Sequence, residues 1–342
     1  MIADLFLRQI PVVLQEGIRS GQFDVYGSTI RRVANGQIVG FLQETSGLSK
    51  IAGLVGSGPV APLKLIGTGI QIVQGEQIKH GLSVVQQGVA MLNHLQVANL
   101  ALSAAGIGVS AIGFAVINNK IDGVQREIRA LGAKLDQLLE EVRGIDMRLV
   151  GDRVKQLHGL ARSVDHNWSN SDEGARAGWR DDAGEARQLH DFFEGRAEQV
   201  LSERPTAAAE ATPLLDASAL ASGLRVASLA LSGETTTAIN VANDNAERLA
   251  RLTGNIGAAD LTRAWMASPE WQAAPGSSEA GDALTLASTR ARDVAANLRA
   301  REAAANTRAA PLLALEAKGV HPRAWLDAAR KEEDAPLLLM EV

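Results

Sequence analysis

The feature of this sequence that most constrains its fold is a run of forty residues, 80–119, without a single Asp, Glu, Lys or Arg. Its centre, residues 97–117, contains no side chain more polar than Asn99, Ser103 and Ser110. A helix of about 20 apolar residues is long enough to cross the hydrocarbon core of a bilayer. We therefore expect this segment to be buried, either in lipid or in the interior of a protein.

The free energy of inserting residues 97–117 into a membrane is predicted to be close to zero. Nine of these residues are Leu, Ile, Val or Phe, which together favour insertion by about 4 kcal/mol. One asparagine, three glycines and two serines offset much of this gain. The sequence thus leaves two environments open: a membrane that the segment enters after a trigger or after oligomerisation, and the centre of a soluble helical bundle.

Small residues recur along this segment at a spacing of four, which lets helix backbones approach closely in a membrane. The positions expected to contact lipid or another helix are Ala101, Ala105, Gly106, Gly108, Ser110, Gly113 and Phe114. Alanine and glycine are also typical of tight helix crossings in soluble bundles, so the spacing does not decide between lipid and protein.

Directly after the uncharged run, the sequence predicts a long charged helix with one apolar stripe. The stripe alternates steps of four and three over more than four heptads, as in a coiled coil. Its positions are Ile117, Ile121, Val124, Ile128, Leu131, Leu135, Leu138, Val142, Ile145 and Leu149. We expect this seam to form a homo-oligomer, although a helix of the same chain would fill it equally well. The stripe continues in a shifted phase through Val150, Leu157 and Val164.

These patterns predict a mainly α protein, built as a long-helix bundle or coiled coil with an uncharged Gly/Ala-rich hydrophobic segment and a small N-terminal β-hairpin. The dipeptide Asn35-Gly36 marks the hairpin, with residues 29–34 paired to 37–42 and residues 23–26 as a third strand. Residues 2–19 are expected to form a helix.

We divide the chain into four regions. They are an N-terminal helix plus β-hairpin (1–45), a Gly-rich hydrophobic and potentially membrane-inserting region (46–118), a coiled-coil-like stalk (119–204) and an Ala-rich C-terminal helical bundle (205–342). In the last two regions, we expect a polar interruption at 167–184, a linker at 204–213 and a core helix at 214–231. The apolar tail, residues 336–342, is expected to dock onto the body or onto a neighbour.

An uncharged, small-residue-rich segment flanked by long amphipathic helices resembles the general plan of α-helical pore-forming toxins. The resemblance covers residues 48–168 and is one of architecture. It implies a hydrophobic head that is hidden against a helical bundle and extended on contact with a membrane. The function it implies is that of a membrane-active, oligomerising helical protein, a pore-former or toxin-like effector, with membrane lipid as a partner. The alternative is a soluble helical scaffold that assembles through the seam, with the hydrophobic helix buried in the complex.

No sequence motif for catalysis, cofactor binding or metal binding stands out, so we expect no enzymatic activity, no cofactor and no metal. The absence of cysteine excludes disulfides and thiolate ligands. His190 and Glu194 are four apart, a spacing that could place two metal ligands on one helix face. Polar residues on a helix surface are the ordinary interpretation of that pair.

The charge of the chain gives no support for a nucleic-acid partner, because a formal net charge of −5 predicts no basic face. A protein partner could instead bind through the N-terminal hairpin or the C-terminal bundle. The first residues do not predict a signal peptide, since Asp4 precedes any basic residue and Pro11 interrupts the apolar run. We expect synthesis in the cytoplasm without a signal peptide, and membrane association only after a trigger.

Overall fold

The computed structural model describes residues 7–9, 11–26, 29–44, 147–203, 207–268, 277–331 and 337–341. The described residues are mainly helical and form a bundle with a small antiparallel sheet, so the predicted fold class is confirmed. The uncharged run, the predicted membrane contacts and all of the seam before Leu149 lie outside the described residues. The three predicted region boundaries also fall outside them, so the division into four regions stays a prediction.

The helices are α1 (Val12–Arg19), α2 (Met147–His166), α3 (Asp172–Glu203), α4 (Ala208–Ser232), α5 (Thr235–Thr253), α6 (Ala258–Met266), α7 (Ser278–Thr307), α8 (Ala310–Ala317) and α9 (Pro322–Lys331). A short 3₁₀ turn, Asn167–Ser169, lies between α2 and α3. The strands are β1 (Leu7–Gln9), β2 (Phe23–Tyr26), β3 (Thr29–Arg32), β4 (Ile38–Glu44) and β5 (Leu337–Glu341).

Helix α4 lies at the centre of the bundle and is buried on all of its faces. It packs along α3, and α2, α5, α7 and α9 also contact it. Many of its side chains are Ala, Ser or Gly, and such small side chains let neighbouring backbones approach closely. The helix ends at Gly233, which has a φ of +96°. Glycine adopts this left-handed conformation without steric cost, and the N–H of Glu234 then bonds to the carbonyl of Leu229 at 2.8 Å.

The apolar stripe of α2 packs inside the chain. Val150, Leu157 and Val164 are at most 2% exposed and belong to the same core as α3 and α4. The indole Nε1 of Trp179 on α3 donates a hydrogen bond to the carbonyl of Val164 at 3.0 Å. The shifted part of the predicted stripe therefore forms a contact between helices of one chain.

The predicted interruption at 167–184 is wrong from Asp172 onward, because α3 begins there and continues through its glycines. Gly178 faces the side chain of Asn167, and a Cβ at this position would collide with it. This glycine therefore serves close packing between α3 and the preceding turn. The predicted linker at 204–213 is also too long, since α4 begins at Ala208 and contains Pro213.

The sheet joins the two ends of the described chain. Its strand order is β1-β5-β4-β3-β2, and every pair of neighbours is antiparallel. The predicted hairpin of β3 with β4 and the third strand β2 are confirmed. In the connecting turn, Gly36 has a φ of +69°, and no other residue between β3 and β4 has a positive φ. The prediction of one helix over 2–19 is wrong at Leu7–Gln9, which form β1.

The tail of the chain supplies an internal strand of this sheet. Strand β5 lies between β1 and β4, where the sequence predicted only docking. Its Leu339 and Met340 are fully buried. A Cβ at Gly40 on β4 would lie 2.8 Å from Leu339 Cδ1 and 3.0 Å from the carbonyl oxygen of Met340. A larger residue at this position would require the side chain of Leu339 to move and the backbone of β5 to shift slightly.

One core anchors both sides of residues 45–146. Phe41 on β4, just before that region, is 2% exposed and belongs to the core of the helical bundle. Val150 on α2, just after the region, is fully buried in the same core. Met340 on β5 packs there as well. The chain therefore enters and leaves the region with the uncharged run from a single folded body.

Candidate functional site

The structure describes one of the residues that the sequence analysis singled out for membrane contact or oligomerisation. Leu149 is half-buried on α2, immediately before the fully buried Val150. The other seam residues and the predicted contacts between Ala101 and Phe114 lie outside the described residues and stay predictions.

Within the described ranges, α4 alone is long and apolar enough to cross a membrane. Its most apolar window has a mean hydropathy of 1.4, but 89% of that window is buried inside the protein. A core helix of a soluble bundle has the same length and composition. The interpretation of residues 214–231 as a core helix is therefore confirmed.

A set of buried polar side chains surrounds α4, and we call it the polar network. Transferring a polar group into an apolar interior costs free energy unless the group keeps hydrogen-bond partners. The members of the network are Asp216, Ser218 and Ser222 on α4, His190 on α3, Asn245 on α5, Arg301 on α7 and Arg308 just after α7. Because its members come from four helices and the residue after α7, the network connects most of the bundle to its central helix.

The first part of the network is an ion pair between α4 and α7. Asp216 Oδ1 lies 2.9 Å from Arg301 Nε, and the two side chains are 4% and 3% exposed. Arg301 also donates from Nη1 to the carbonyl of Asn297 at 3.2 Å. A charge-assisted hydrogen bond of this kind is about twice as strong as a neutral one. It fixes the position of α7 along α4.

The second part is centred on Ser222. Its hydroxyl oxygen accepts hydrogen bonds from Arg308 Nη1 and from Asn245 Nδ2, each at 2.6 Å. Burial lowers the pKa of Arg308 to about 10, so the guanidinium is still charged at neutral pH. One hydroxyl on α4 thus accepts hydrogen bonds from a buried cation and from a side chain of α5.

The third part contains His190, which the sequence analysis interpreted as a helix-surface residue. That interpretation is wrong, because His190 is only 4% exposed. Its Nδ1 lies 2.8 Å from the hydroxyl of Ser218 and 3.2 Å from the carbonyl oxygen of the same residue. A carbonyl oxygen can only accept, so we place the proton on Nδ1. Burial lowers the pKa of His190 below its ordinary value of 6.5, and the ring is neutral at neutral pH.

The other ring nitrogen of His190, Nε2, lies near an acidic side chain, that of Glu194. Nε2 has no hydrogen-bond partner among the described residues and lies 3.8 Å from Glu194 Oε2. Arg248 Nη1 of α5 is 3.1 Å from Glu194 Oε2 and 3.6 Å from Asp191 Oδ1. At the edge of the bundle, therefore, one guanidinium contacts two carboxylates, and one of these carboxylates lies close to a buried imidazole.

Ser218 and His190 are residue types that can serve as nucleophile and base, but with the proton on Nδ1 the imidazole cannot accept the proton of the Ser218 hydroxyl. Both residues are buried, with 6% and 4% of their surface exposed. In the described structure, this contact joins α3 to α4 inside the bundle.

The sequence did not lead us to predict the polar network, although two patterns in it indicate that His190 and Asp216 are buried. His190 falls in a three-and-four spacing with the buried Ala186, Phe193 and Ala197, which indicates an interior position. Asp216 interrupts an apolar helix, which indicates a buried partner without naming Arg301. A scan against protein-family models, a search of curated proteins and a search of solved structures each gave no match for this chain.

Proposed function

We propose that this chain is a membrane-active, oligomerising α-helical protein of the pore-forming or toxin-like kind, in which residues 97–117 enter the membrane. The observation that carries the proposal is a contrast between two apolar segments of the chain. Helix α4 contains charged residues, and its Asp216 pairs with Arg301 in the protein interior. Residues 97–117 contain no charged side chain that could form such a pair.

The segments on both sides of the uncharged run are anchored in the bundle, which supports a membrane role for the run itself. Strand β4 precedes the uncharged run and α2 follows it, and Phe41 and Val150 hold the two in one core. A segment tethered at both ends can move to a membrane while the folded body stays intact. In this proposal, the folded bundle holds both ends of the membrane-active region.

Oligomerisation is the second element of the proposal. The seam from Ile117 to Leu149 would align helices of several copies, and the small residues at Ala101, Ala105 and Gly113 would let them pack closely in lipid. A single helix of marginal hydrophobicity gains from such assembly, because each copy covers polar groups of the next.

The test is dye release from liposomes and co-sedimentation with them, using the full chain. We expect release by the wild-type protein and much less by Gly113→Arg, because an arginine in the uncharged run opposes insertion by up to about 2.5–3.5 kcal/mol, the cost at the centre of a membrane helix. Gly184→Arg is the matched control. Gly184 is exposed on α3 with open space around it, so this variant should release dye like the wild type.

The fold of both variants is checked by the near-ultraviolet circular dichroism of the tryptophans, among them the edge-on pair Trp168 and Trp179, whose ring centres are 5.3 Å apart. Absence of release and of sedimentation under all lipid compositions and pH values would remove the proposal. Equal release by the two arginine variants would also contradict it.

A soluble helical scaffold is the second candidate, and α4 favours it. This chain already buries one long Ala- and Ser-rich helix in protein, so residues 97–117 could be buried in the same way at the centre of an assembly. The scaffold predicts soluble complexes of fixed stoichiometry that never sediment with liposomes. It also predicts that Glu140→Lys on the stalk changes the stoichiometry measured by light scattering.

A further inference from the structure

We propose that His190, Asp191 and Glu194 bind a divalent transition metal of the zinc class at the edge of the bundle. One potential ligand atom from each residue lies within 4.8 Å of the other two. Imidazole nitrogen and carboxylate oxygen are both ligands of zinc, at about 2.0–2.2 Å. The site does not depend on the proposed membrane activity.

The separations between the donor atoms require only a small adjustment. In the tetrahedral geometry of zinc, two ligands that each lie about 2.1 Å from the ion are about 3.4 Å apart. His190 Nε2 and Glu194 Oε2, at 3.8 Å, need to approach each other by only a few tenths of an ångström. Asp191 is exposed on α3, so rotation of its side chain can bring its carboxylate closer.

The orientation of His190 is that of a metal ligand. Its Nδ1–H donates to the carbonyl oxygen of Ser218 at 3.2 Å, and metal-bound histidines generally hold their second nitrogen in this way. Nε2 then carries the lone pair of the ring, and it lies 3.8 Å from Glu194 Oε2. Two acceptors thus face one another, with 96% of the surface of His190 buried. A cation between them would satisfy both.

A cation is already recognised at this place. The guanidinium of Arg248 contacts Glu194 and Asp191 at 3.1 and 3.6 Å. Arg248 is half-exposed, so its side chain can swing into solvent when a metal replaces it. Arg187 and Arg225 also act on Asp191, and these positive charges reduce the affinity that the three ligands alone would give.

Because Arg248 would compete with the metal for Glu194 and Asp191, zinc binding by variants distinguishes a metal site from a purely structural ion pair. Zinc chloride is titrated into the full chain by isothermal calorimetry, and Co²⁺ is added separately to record its visible absorption. We expect one ion per chain. Glu194→Gln should weaken zinc binding by at least about tenfold, because it removes a ligand.

Arg248→Gln should strengthen zinc binding by about threefold to tenfold, because it removes two exposed ion pairs that compete for the ligands. Arg251→Gln is the matched control, since Arg251 lies one turn later on α5, is more exposed and pairs with Glu247 at 3.8 Å. It should bind zinc like the wild type.

His190→Ala is included for the Co²⁺ spectrum, with its fold checked by circular dichroism. Glu194→Gln and Arg248→Gln change partly exposed side chains, so the test does not depend on His190→Ala. Weaker binding by Glu194→Gln together with tighter binding by Arg248→Gln supports the site. Any other pattern overturns it. Examples are a wild-type protein that binds no zinc and a Glu194→Gln variant that binds zinc as tightly as the wild type.

Discussion

Asp216 in the middle of α4 and Arg301 near the end of α7 form an ion pair inside the bundle, with 2.9 Å between Oδ1 and Nε. Neither side chain is more than 4% exposed. A buried pair adds little net stability, because removing both charges from water costs about as much as their attraction returns. Loss of one partner is different, since the remaining charge stays buried without its counter-ion.

The first prediction concerns this asymmetry. Asp216→Ala should lower the free energy of unfolding by about 3–5 kcal/mol, because it leaves the guanidinium of Arg301 without its carboxylate. The double variant Asp216→Leu/Arg301→Met should recover most of that loss. Urea denaturation followed by circular dichroism measures both. A double variant as unstable as Asp216→Ala would contradict the explanation, as would an unchanged single variant.

The second prediction compares two serines of α4. Ser222→Ala should lower the free energy of unfolding by about 2–4 kcal/mol, because Arg308 and Asn245 both lose a buried acceptor. Ser228 is also fully buried, but its hydroxyl has no hydrogen-bond partner among the described residues. Ser228→Ala should therefore leave stability unchanged or raise it. The same urea titration measures both variants. Equal losses of unfolding free energy for Ser222→Ala and Ser228→Ala would refute the assigned role of Ser222.

The third prediction concerns pH. Burial raises the pKa of Asp182 from 3.8 to about 6, although hydrogen bonds, including one from Asn167 Nδ2 at 2.7 Å, act in the opposite direction. The folded state therefore binds this proton more tightly than the unfolded state does. Between about pH 4 and pH 6, the contribution of Asp182 to stability falls as the pH rises.

Asp182→Asn removes this contribution and can still accept the hydrogen bond from Asn167. It should stabilise the protein by about 2 kcal/mol at pH 7 and have little effect at pH 4. The measurement is the difference in unfolding free energy between variant and wild type at several pH values. Glu198→Gln, at an exposed position of the same helix, is the matched control. A difference that does not change with pH would show that burial does not perturb Asp182.

Parts of the fold could be predicted because short local patterns in the sequence determine them. Asn35-Gly36 marks the hairpin, since Gly36 takes the positive φ that the turn needs. Asp216 and Arg225 interrupt the apolar residues 214–231, which distinguishes a core helix from a membrane span. In each case, the relevant residues lie within one element or next to it.

The parts that could not be predicted depend on partners far away in the chain. Strand β5 pairs with β1 and β4, whose residues lie near the other end of the sequence. Gly178 looks like a loop residue until Asn167 is seen to fill the space beside it. A buried polar network cannot be recognised until the partner of each polar side chain is known. Arg308, for example, is 86 positions away from its partner Ser222 in the sequence.

The last prediction distinguishes the two long apolar segments by hydrogen exchange. Helix α4 is already buried, and its Asp216 and Ser222 make contacts that lipid cannot replace. Addition of anionic vesicles should therefore slow amide exchange in residues 97–117 and leave exchange in α4 unchanged. Mass spectrometry of peptides from both segments provides the measurement, and Gly113→Arg should remove the change at 97–117 alone. If vesicles instead accelerate exchange in α4, the body opens on the membrane, and the assignment of the membrane contact to residues 97–117 is wrong.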